Sequence, residues 1–377
     1  VDIYTKVNSN WTRTEHIDAD FNALIHQVVW FSDTQIFLVT KTDGVSPGGI
    51  YSVSANASAT GGWGSSTQVF STGTADADQL AQLLLSPNQS KGILWSWDKN
   101  HIKVIELANP TWTSTSITPV SNTLSIVKAA TWIDNNRFVL GIPKFGSGGS
   151  AAADTFQGRL SVWSYENDQW SETEHKQDNS HTPSALYYDP KSNTLIVWNG
   201  FVTDTGQESD SNNAQDPGHG AFGSIVQYLP QLDGTTVLNS TDFGHIGKNS
   251  ILGEHDGTQY QKSHMELLTA YGHNIVPDPN DSSRVLFQTV NEGTDDGVGG
   301  YSTSKLYCLE WEFVNISPNN RWILTELESG YGTDVSGFMP GFGPNGEIII
   351  NTGTSTSDDL KMLFSDGLGF LQESVCD

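Results

Sequence analysis

Four of the ten histidines in the chain fall in one short stretch, at His245, His255, His264 and His273. A neutral imidazole can take up a proton near neutral pH, and its ring nitrogens can bind a transition metal. The spacing matches no short metal-binding motif, because the chain contains no HxH, HExxH or CxxC sequence. We therefore expect proton transfer at His264 and His273 rather than metal binding, and a polar loop at His245 and His255.

The predicted catalytic residues combine imidazole, phenol and carboxylate groups, each of which can donate or remove a proton. They are His26, His264, His273, Tyr271 and Glu292. A carboxylate can also act as acid, base or nucleophile in glycoside hydrolysis.

The predicted substrate-binding residues are aromatic, imidazole and guanidinium groups. They are His181, His219, Trp198, Arg137 and Arg159. An exposed tryptophan can stack on a sugar ring, and an arginine can neutralise a uronate carboxylate. For the tryptophans that alternate within strands, packing between sheets is the favoured interpretation and sugar binding the alternative.

Two further carboxylates, Asp295 and Asp296, lie in the glycine-rich stretch NEGTDDGVGG. Closely spaced carboxylates can bind calcium, although the spacing here differs from that of an EF-hand loop. A solvated acidic loop is the favoured interpretation, and calcium bound by Asp295 and Asp296 is the alternative and the one cofactor considered for the chain.

The composition limits the partners of the chain. Its 377 residues carry a formal net charge of −25. Nucleic acids and anionic membranes would repel such a chain, so neither is expected as a partner. We expect a monomer whose partner is a carbohydrate. Six Asn-X-Ser/Thr sequons predict a secreted, extracellular glycoprotein. The two cysteines, Cys308 and Cys376, are expected to form a disulfide, with two unpaired thiols as the alternative.

A repeated strand pattern predicts the fold. Short apolar runs divided by a polar turn recur six times, for example VVWFSDTQIFLVT (28–40), AATWIDNNRFVLGIP (129–143) and ALYYDPKSNTLIVWNG (185–200). Each copy is followed by a second, alternating hairpin, and two hairpins per repeat without helix are typical of a β-propeller. We expect one all-β domain over residues 1–377, a six-bladed propeller of four-stranded antiparallel blades closed by N- and C-terminal strands. Seven blades are the alternative.

The connections between predicted strands differ in length. The longest ones, near 143–158, 201–222, 241–263 and 291–304, all join the second strand to the third or one blade to the next. They therefore lie on one face, where binding residues are usually found. Elaboration mainly in the third to fifth blades favours one site, as in an enzyme, over one site per blade.

The chain resembles secreted fungal β-propellers that act on carbohydrates, and its second hairpins, such as RLSVWSYENDQW, are similar in outline to kelch hairpins without their double glycine. The resemblance covers most of the chain at the level of architecture and identifies no family. It implies an extracellular polysaccharide lyase or glycoside hydrolase that uses histidine as acid or base at the propeller mouth. The alternatives are a lectin and a calcium-dependent, lactonase-type enzyme acting on a small molecule.

Overall fold

The structure is a computed structural model. It describes residues 2–7, 10–16, 24–41, 48–56, 62–73, 80, 82–96, 101–108, 112–118, 127, 129–142, 159–177, 183–190, 194–199, 224–228, 244–245, 263–267, 276–278, 280–281, 284–294, 303–312, 321–331, 341–342, 348–351, 360–365 and 371–376. The chain divides into two compact units, residues 1–127 with Cys376 and residues 128–375 with Asp377, and each is described by itself.

The first unit contains one hairpin and two four-stranded antiparallel sheets. The hairpin pairs β1 (Asp2–Val7) with β2 (Asn10–His16). Sheet 1 has β3 (Leu24–Ser32), β4 (Gln35–Lys41), β5 (Gly48–Ser54) and β6 (Thr67–Gly73) in spatial order. Sheet 2 has β7 (Gln82–Leu85), β8 (Lys91–Trp95), β9 (Ile102–Glu106) and β10 (Thr113–Ile117).

The second unit repeats this arrangement. Sheet 3 has β11 (Ala129–Asp134), β12 (Arg137–Ile142), β13 (Arg159–Glu166) and β14 (Gln169–Gln177). Sheet 4 has β15 (Pro183–Asp189), β16 (Thr194–Asn199), β17 (Ser224–Tyr228) and β18 (Gly244–His245).

Two more sheets complete the second unit. In sheet 5, β19 (Ser263–Leu267) and β20 (Val276–Pro277) both pair with β21 (Arg284–Thr294), followed by β22 (Thr303–Glu312) and β23 (Arg321–Tyr331). Sheet 6 has β24 (Gly341–Phe342), β25 (Ile348–Asn351), β26 (Leu360–Ser365) and β27 (Leu371–Cys376).

Each four-stranded sheet has two different ends. At the turn end, the first strand connects to the second and the third to the fourth. At the link end, the second strand connects to the third, and the fourth leads on to the next sheet. The links include 143–158, 200–223 and 246–262, whereas the turns of sheet 3 contain only 135–136 and 167–168.

The second strands are apolar because both of their faces are buried. In β4, Phe37 and Val39 pack in one cluster with sheet 2, and Ile36 and Leu38 pack in another with Val53. Successive side chains of a strand point to opposite faces, so burial of both faces requires an uninterrupted apolar run. The sequence QIFLVTK meets this requirement.

Neighbouring sheets pack face to face within each unit. In the first unit, Phe37 and Ile50 of sheet 1 share a cluster with Leu83, Leu94 and Ile105 of sheet 2, each at most 2% exposed. In the second unit, a cluster combines sheets 3 and 4 and contains Val139, Val162, Leu160, Ala129, Ile133, Leu186, Tyr188 and Leu195. The Tyr188 N–H also donates to Thr131 Oγ1 at 3.2 Å, which joins the first strands of sheets 3 and 4.

The prediction of an all-β chain of four-stranded antiparallel blades is confirmed. Closure of the ring by terminal strands and a single domain stay predictions. In the structure β1 and β2 pair with each other, and all four strands of sheet 6 come from residues 341–376. The predicted disulfide also stays a prediction: Cys308 is buried in β22, and the side chain of Cys376 lies outside the described residues. Among the described residues, no helix is long and apolar enough to cross a membrane.

Candidate functional site at the link ends

The first two strands of sheets 1, 4 and 5 pair irregularly at the link end. The register shifts between Ile25 and Gln27 in sheet 1, and between Pro183 and Ala185 in sheet 4. In sheet 5 it shifts between His264 and Glu266. In sheet 2 the corresponding pairing is regular throughout. A β-bulge redirects the chain and is common next to active sites, so these three link ends are candidates for function.

His26 is the residue left out of the β3–β4 ladder at the link end of sheet 1. Its neighbours pair normally, Ile25 with Thr40 and Gln27 with Val39, so the bulge places His26 alone between them. The side chain is partly buried, neither enclosed in the core nor fully exposed. This is the only predicted catalytic residue whose side chain lies within the described residues.

Gln27 joins the first strands of sheets 1 and 2 next to this bulge. Its Nε2 donates to the Leu83 carbonyl at 3.1 Å, and its Oε1 accepts from the Leu83 N–H at 2.7 Å. The Gln27 amide thus satisfies both the N–H and the carbonyl of Leu83 on the edge strand β7. Buried backbone N–H and carbonyl groups at the edge of a sheet need such hydrogen-bond partners. We call these two hydrogen bonds the Gln27 clamp. Backbone pairing with β4 and the clamp to β7 hold β3 in place around His26.

Two buried polar atoms lie at the link ends of the first unit. Within the described part of the chain, Gln82 Oε1 and Thr72 Oγ1 have no hydrogen-bond partner, although both residues are less than 5% exposed. Gln82 begins β7, and Thr72 lies at a register shift near the end of β6. Buried polar atoms normally find a protein or water partner, so both mark this end as unusually polar for a core.

The structure brings His264 and Glu292 to neighbouring strands. His264 of β19 lies opposite Gly293 of β21, and Glu292 precedes Gly293 in the chain. Glu292 in turn lies opposite Thr303 of β22, at a further register shift. At the bulged link end of sheet 5, His264 and Glu292 therefore lie on neighbouring strands, one residue away from directly opposite positions. Histidine and glutamate are residue types that acid–base catalysis uses.

Two predicted substrate-binding residues also lie at link ends of the second unit. Arg159 is the first residue of β13, opposite Ile142 and Gln177. Trp198 of β16 lies opposite Ala185, beside the bulge of sheet 4. The predicted residues Tyr271, His273, His181, His219, Asp295 and Asp296 lie outside the described residues. His245, expected in a link, instead ends β18 opposite Val226.

Arg137 lies at the opposite end of its sheet. It follows the tight turn between β11 and β12, where its Nη2 lies 2.6 Å from Asp134 Oδ2 and its Nε donates to the same oxygen at 2.7 Å. Arg284 is held in the same way by Asp278, with 3.4 Å between Nη1 and Oδ2. Both guanidinium groups stabilise turns, so we leave Arg137 out of the site.

Tyr187 and Tyr188 connect sheet 4 to these turns. Burial raises the pKa of Tyr188, assisted by the Asp134 carboxylate and opposed by Arg137. Burial also raises the pKa of Tyr187 strongly, and the carboxylates of Asp189, Asp281 and Asp278 raise it further. Such phenols remain protonated at neutral pH, which suits a structural role better than that of a base.

Metal binding finds no support in the parts of the chain that the structure describes, where no three His, Cys, Asp or Glu residues are grouped closely enough to hold an ion. Asp295 and Asp296 lie outside the described residues, so calcium binding at these two residues stays a prediction.

Sequence reasoning did not identify Gln27 and Gln82. Both are polar residues at the start of otherwise apolar first strands, in IHQVVWF and QLLL. A polar residue in such a position interrupts the burial pattern, and that interruption was the signal available in the sequence.

Comparison with known proteins identifies the fold. No family model matches the chain, and no curated protein sequence matches it. A periplasmic gluconolactonase from Pseudomonas aeruginosa is similar in structure over 100% of this chain and 93% of its own, with a TM-score of 0.57 and 11% identity. The fold is a β-propeller.

Two further propeller structures resemble the chain over most of its length. A protein from Lactobacillus plantarum matches over 98% of this chain and 89% of its own, with a TM-score of 0.57 and 13% identity. A putative 6-phosphogluconolactonase from Bacteroides uniformis matches over 93% and 85%, with a TM-score of 0.51 and 11% identity. At 11–13% identity these likenesses show the fold alone, and the family of the chain stays unidentified.

Proposed function

We propose that this protein is a hydrolase that opens a small sugar lactone at a link-end site. The observation that carries the proposal is the structural likeness, along the whole chain, to a gluconolactonase. At 11% identity the likeness concerns the fold, so the activity must be argued from the residues at the link ends.

His264 and Glu292 supply the acid–base groups that lactone opening needs. One of them removes a proton from a water molecule as the water oxygen attacks the lactone carbonyl carbon. The bond between that carbon and the ring oxygen then breaks, and the proton is returned to the departing oxygen. The product is one sugar acid with a new hydroxyl group and a carboxylic acid group, which releases its proton to the solvent, and neither redox chemistry nor a covalent intermediate is required.

The arginines favour an unphosphorylated lactone. Arg137 and Arg284 are bound to carboxylates at turn ends, and Arg321 begins β23 at the turn end of sheet 5. Arg13 lies in the β1–β2 hairpin, so Arg159 is the one arginine at the link end of a four-stranded sheet. Combined with a net charge of −25, this makes a phosphate group an unfavourable substituent.

The test is hydrolysis of glucono-δ-lactone by the purified protein, measured as acid release above the spontaneous rate. We expect faster opening of this lactone than of 6-phosphogluconolactone. Absence of acceleration with both lactones, together with cleavage of a polysaccharide in a parallel panel, would return the polysaccharide interpretation to first place.

A chelator separates the two forms of the proposal. Activity that persists after chelation and dialysis supports the His264 and Glu292 mechanism alone. Activity that disappears and returns with added calcium supports the calcium site predicted at Asp295 and Asp296, for which carboxylate oxygens are suitable ligands.

A further inference from the structure

The six sequons of the chain are distributed unequally between the two ends of the sheets. Three have side chains that the structure describes: Asn56 in the turn between β5 and β6, Asn88 in the turn between β7 and β8, and Asn280 between β20 and β21. In chain order, Asn239 falls between β17 and β18, and Asn315 between β22 and β23. All five belong to turn ends, and Asn10 begins β2 beside the turn of the β1–β2 hairpin.

No sequon lies in a link, although the longest connections of the chain are links. The link 200–223 alone contains Asn212 and Asn213, but neither is followed by Ser or Thr two residues later. Sequons that arise by chance should follow the abundance of asparagine and exposed chain, and they would then occur at both ends of the sheets.

We propose that the turn-end asparagines, in particular Asn56, Asn88 and Asn280, carry N-linked glycans and that the link ends carry none. The three side chains are exposed, as a glycan requires. In the reaction, the Asn Nδ2 displaces the diphosphate from the anomeric carbon of a lipid diphosphate-linked oligosaccharide. A carbon–nitrogen bond forms, the carbon–oxygen bond to the diphosphate breaks, and the nitrogen loses one proton.

The turn around Asn88 is compatible with a glycan. Asn88 Oδ1 accepts hydrogen bonds from Ser86 Oγ at 2.9 Å, Ser90 N–H at 3.1 Å and Ser90 Oγ at 2.8 Å. Glycosylation modifies Nδ2 and keeps the amide carbonyl, so these three bonds and the turn can persist in the modified protein.

The other two sites also place the glycan outside the backbone pairing that shapes the turn. At Asn56 the backbone N–H donates to the Gly62 carbonyl at 2.6 Å, which closes the loop beside the Ala55–Trp63 bridge. At Asn280 the backbone N–H donates to Asp278 Oδ1 at 2.8 Å. In both turns the donor is the backbone N–H of the asparagine, which glycosylation at Nδ2 leaves unchanged.

Glycopeptide mapping of the full chain, secreted from a eukaryotic cell, tests the proposal. Peptide-N-glycosidase converts each glycosylated Asn to Asp, and in heavy-oxygen water the new Asp carries the label. We expect labelled Asp at positions 56, 88 and 280. Recovery of these three peptides as unlabelled Asn would overturn the proposal.

Two variants of the Asn88 turn distinguish the loss of a glycan from a disturbance of folding. Asn88→Asp keeps the oxygen acceptor and removes the sequon, so one electrophoretic mobility step should disappear. Ser90→Thr keeps both the hydroxyl and the sequon, so that step should remain. Unchanged mobility of Asn88→Asp would show that Asn88 carries no glycan.

The absence of sequons from link ends has a consequence that rests on the proposed function. Gln215→Thr creates a sequon at Asn213 in the link between β16 and β17. A glycan there should lower kcat/KM for the lactone at least severalfold, and enzymatic deglycosylation should restore it, whereas removal of the natural glycans should leave kcat/KM unchanged. Equal changes in kcat/KM from glycans at the link end and at the turn ends would overturn this consequence. If the protein has no lactonase activity, the proposed function fails, and the glycopeptide map still tests the glycan proposal by itself.

Discussion

The turn ends and the link ends of the same sheets use polar residues in different ways. At the turn ends, Asp134 and Asp278 each bind a backbone N–H and an arginine across a short connection. At the link ends, His26 lies at a bulge and His264 lies next to one. The aspartates at the turn ends hold their own turns together, whereas a bulge at a link end shifts the position of a residue relative to the strand pairing.

This difference separates two kinds of sequence signal that look alike. Arg137 and Arg159 are both arginines at strand starts, and both were predicted to bind substrate. Only Arg159 lies at a link end, because Arg137 follows a two-residue turn and reaches back to Asp134. In sheet 3, the spacing Asp-x-x-Arg across a tight turn therefore indicates an arginine that stabilises the turn.

The largest expected effect concerns the link end of sheet 5. We expect Glu292→Gln and His264→Ala each to lower kcat/KM for the lactone by ~10²–10⁴-fold, the usual contribution of a general acid or base. Melting temperatures should change little. His175→Ala, in the outer strand β14, and Glu166→Gln, an exposed residue at a turn end, are matched controls that should retain activity. A loss in Glu166→Gln equal to that in Glu292→Gln would remove the distinction between the two ends.

The next effect concerns the core that supports both ends. Leu94→Ala should lower the free energy of unfolding by about 2–5 kcal/mol, because Leu94 is 0% exposed in the cluster between sheets 1 and 2. Val28→Ala, at a side chain that is 40% exposed, should cost less than about 1 kcal/mol. Denaturant unfolding measures both. Similar costs would mean that this cluster does not form the core of the first unit.

A smaller effect compares two turn-end ion pairs of the same design. The Asp278 side chain is 4% exposed and that of Asp134 is 43% exposed. Asp→Asn keeps an acceptor for the backbone N–H and removes the charge facing arginine. We expect a cost of about 1–3 kcal/mol for Asp278→Asn and less than about 1 kcal/mol for Asp134→Asn. An equal cost in chemical denaturation would show that burial does not distinguish the two pairs.

The smallest effect appears at alkaline pH. The pKa of Tyr187 is raised in the folded protein above its value of 10.0 in the unfolded chain. Above pH 10 the unfolded state therefore loses a proton that the folded state keeps, so stability falls as pH rises. One such proton gives a slope of up to about 1.4 kcal/mol per pH unit. Tyr187→Phe should show a shallower decline between pH 9 and 11, and an identical slope would contradict the assignment.

Much of the fold is predictable from the sequence because a strand that is buried on both faces must consist of apolar residues. The run QIFLVTK of β4 is apolar on both faces, and the same pattern recurs in β8 and β12. Polar turns between such strands, as at Asp134 to Arg137, then give the hairpins and the repeat. These features depend on residues close together in the chain.

The candidate site is less predictable because it depends on pairing between distant residues. Nothing in the sequence around His26 shows that it is left out of the ladder, since that depends on the register against Thr40 and Val39. The clamp from Gln27 to Leu83 spans 56 residues. Likewise, the position of His264 opposite Gly293 and next to Glu292 follows from a strand pairing that neither local sequence indicates.

The central claim is that chemistry belongs to the link ends, and a complex structure tests it most directly. A sugar lactam, which resembles the lactone but resists hydrolysis, would be bound to the wild-type protein and located by crystallography. We predict density for the lactam beside His264 and Glu292 at the link end of sheet 5. Density at a turn end, beside Arg137 or Arg284, would contradict the claim.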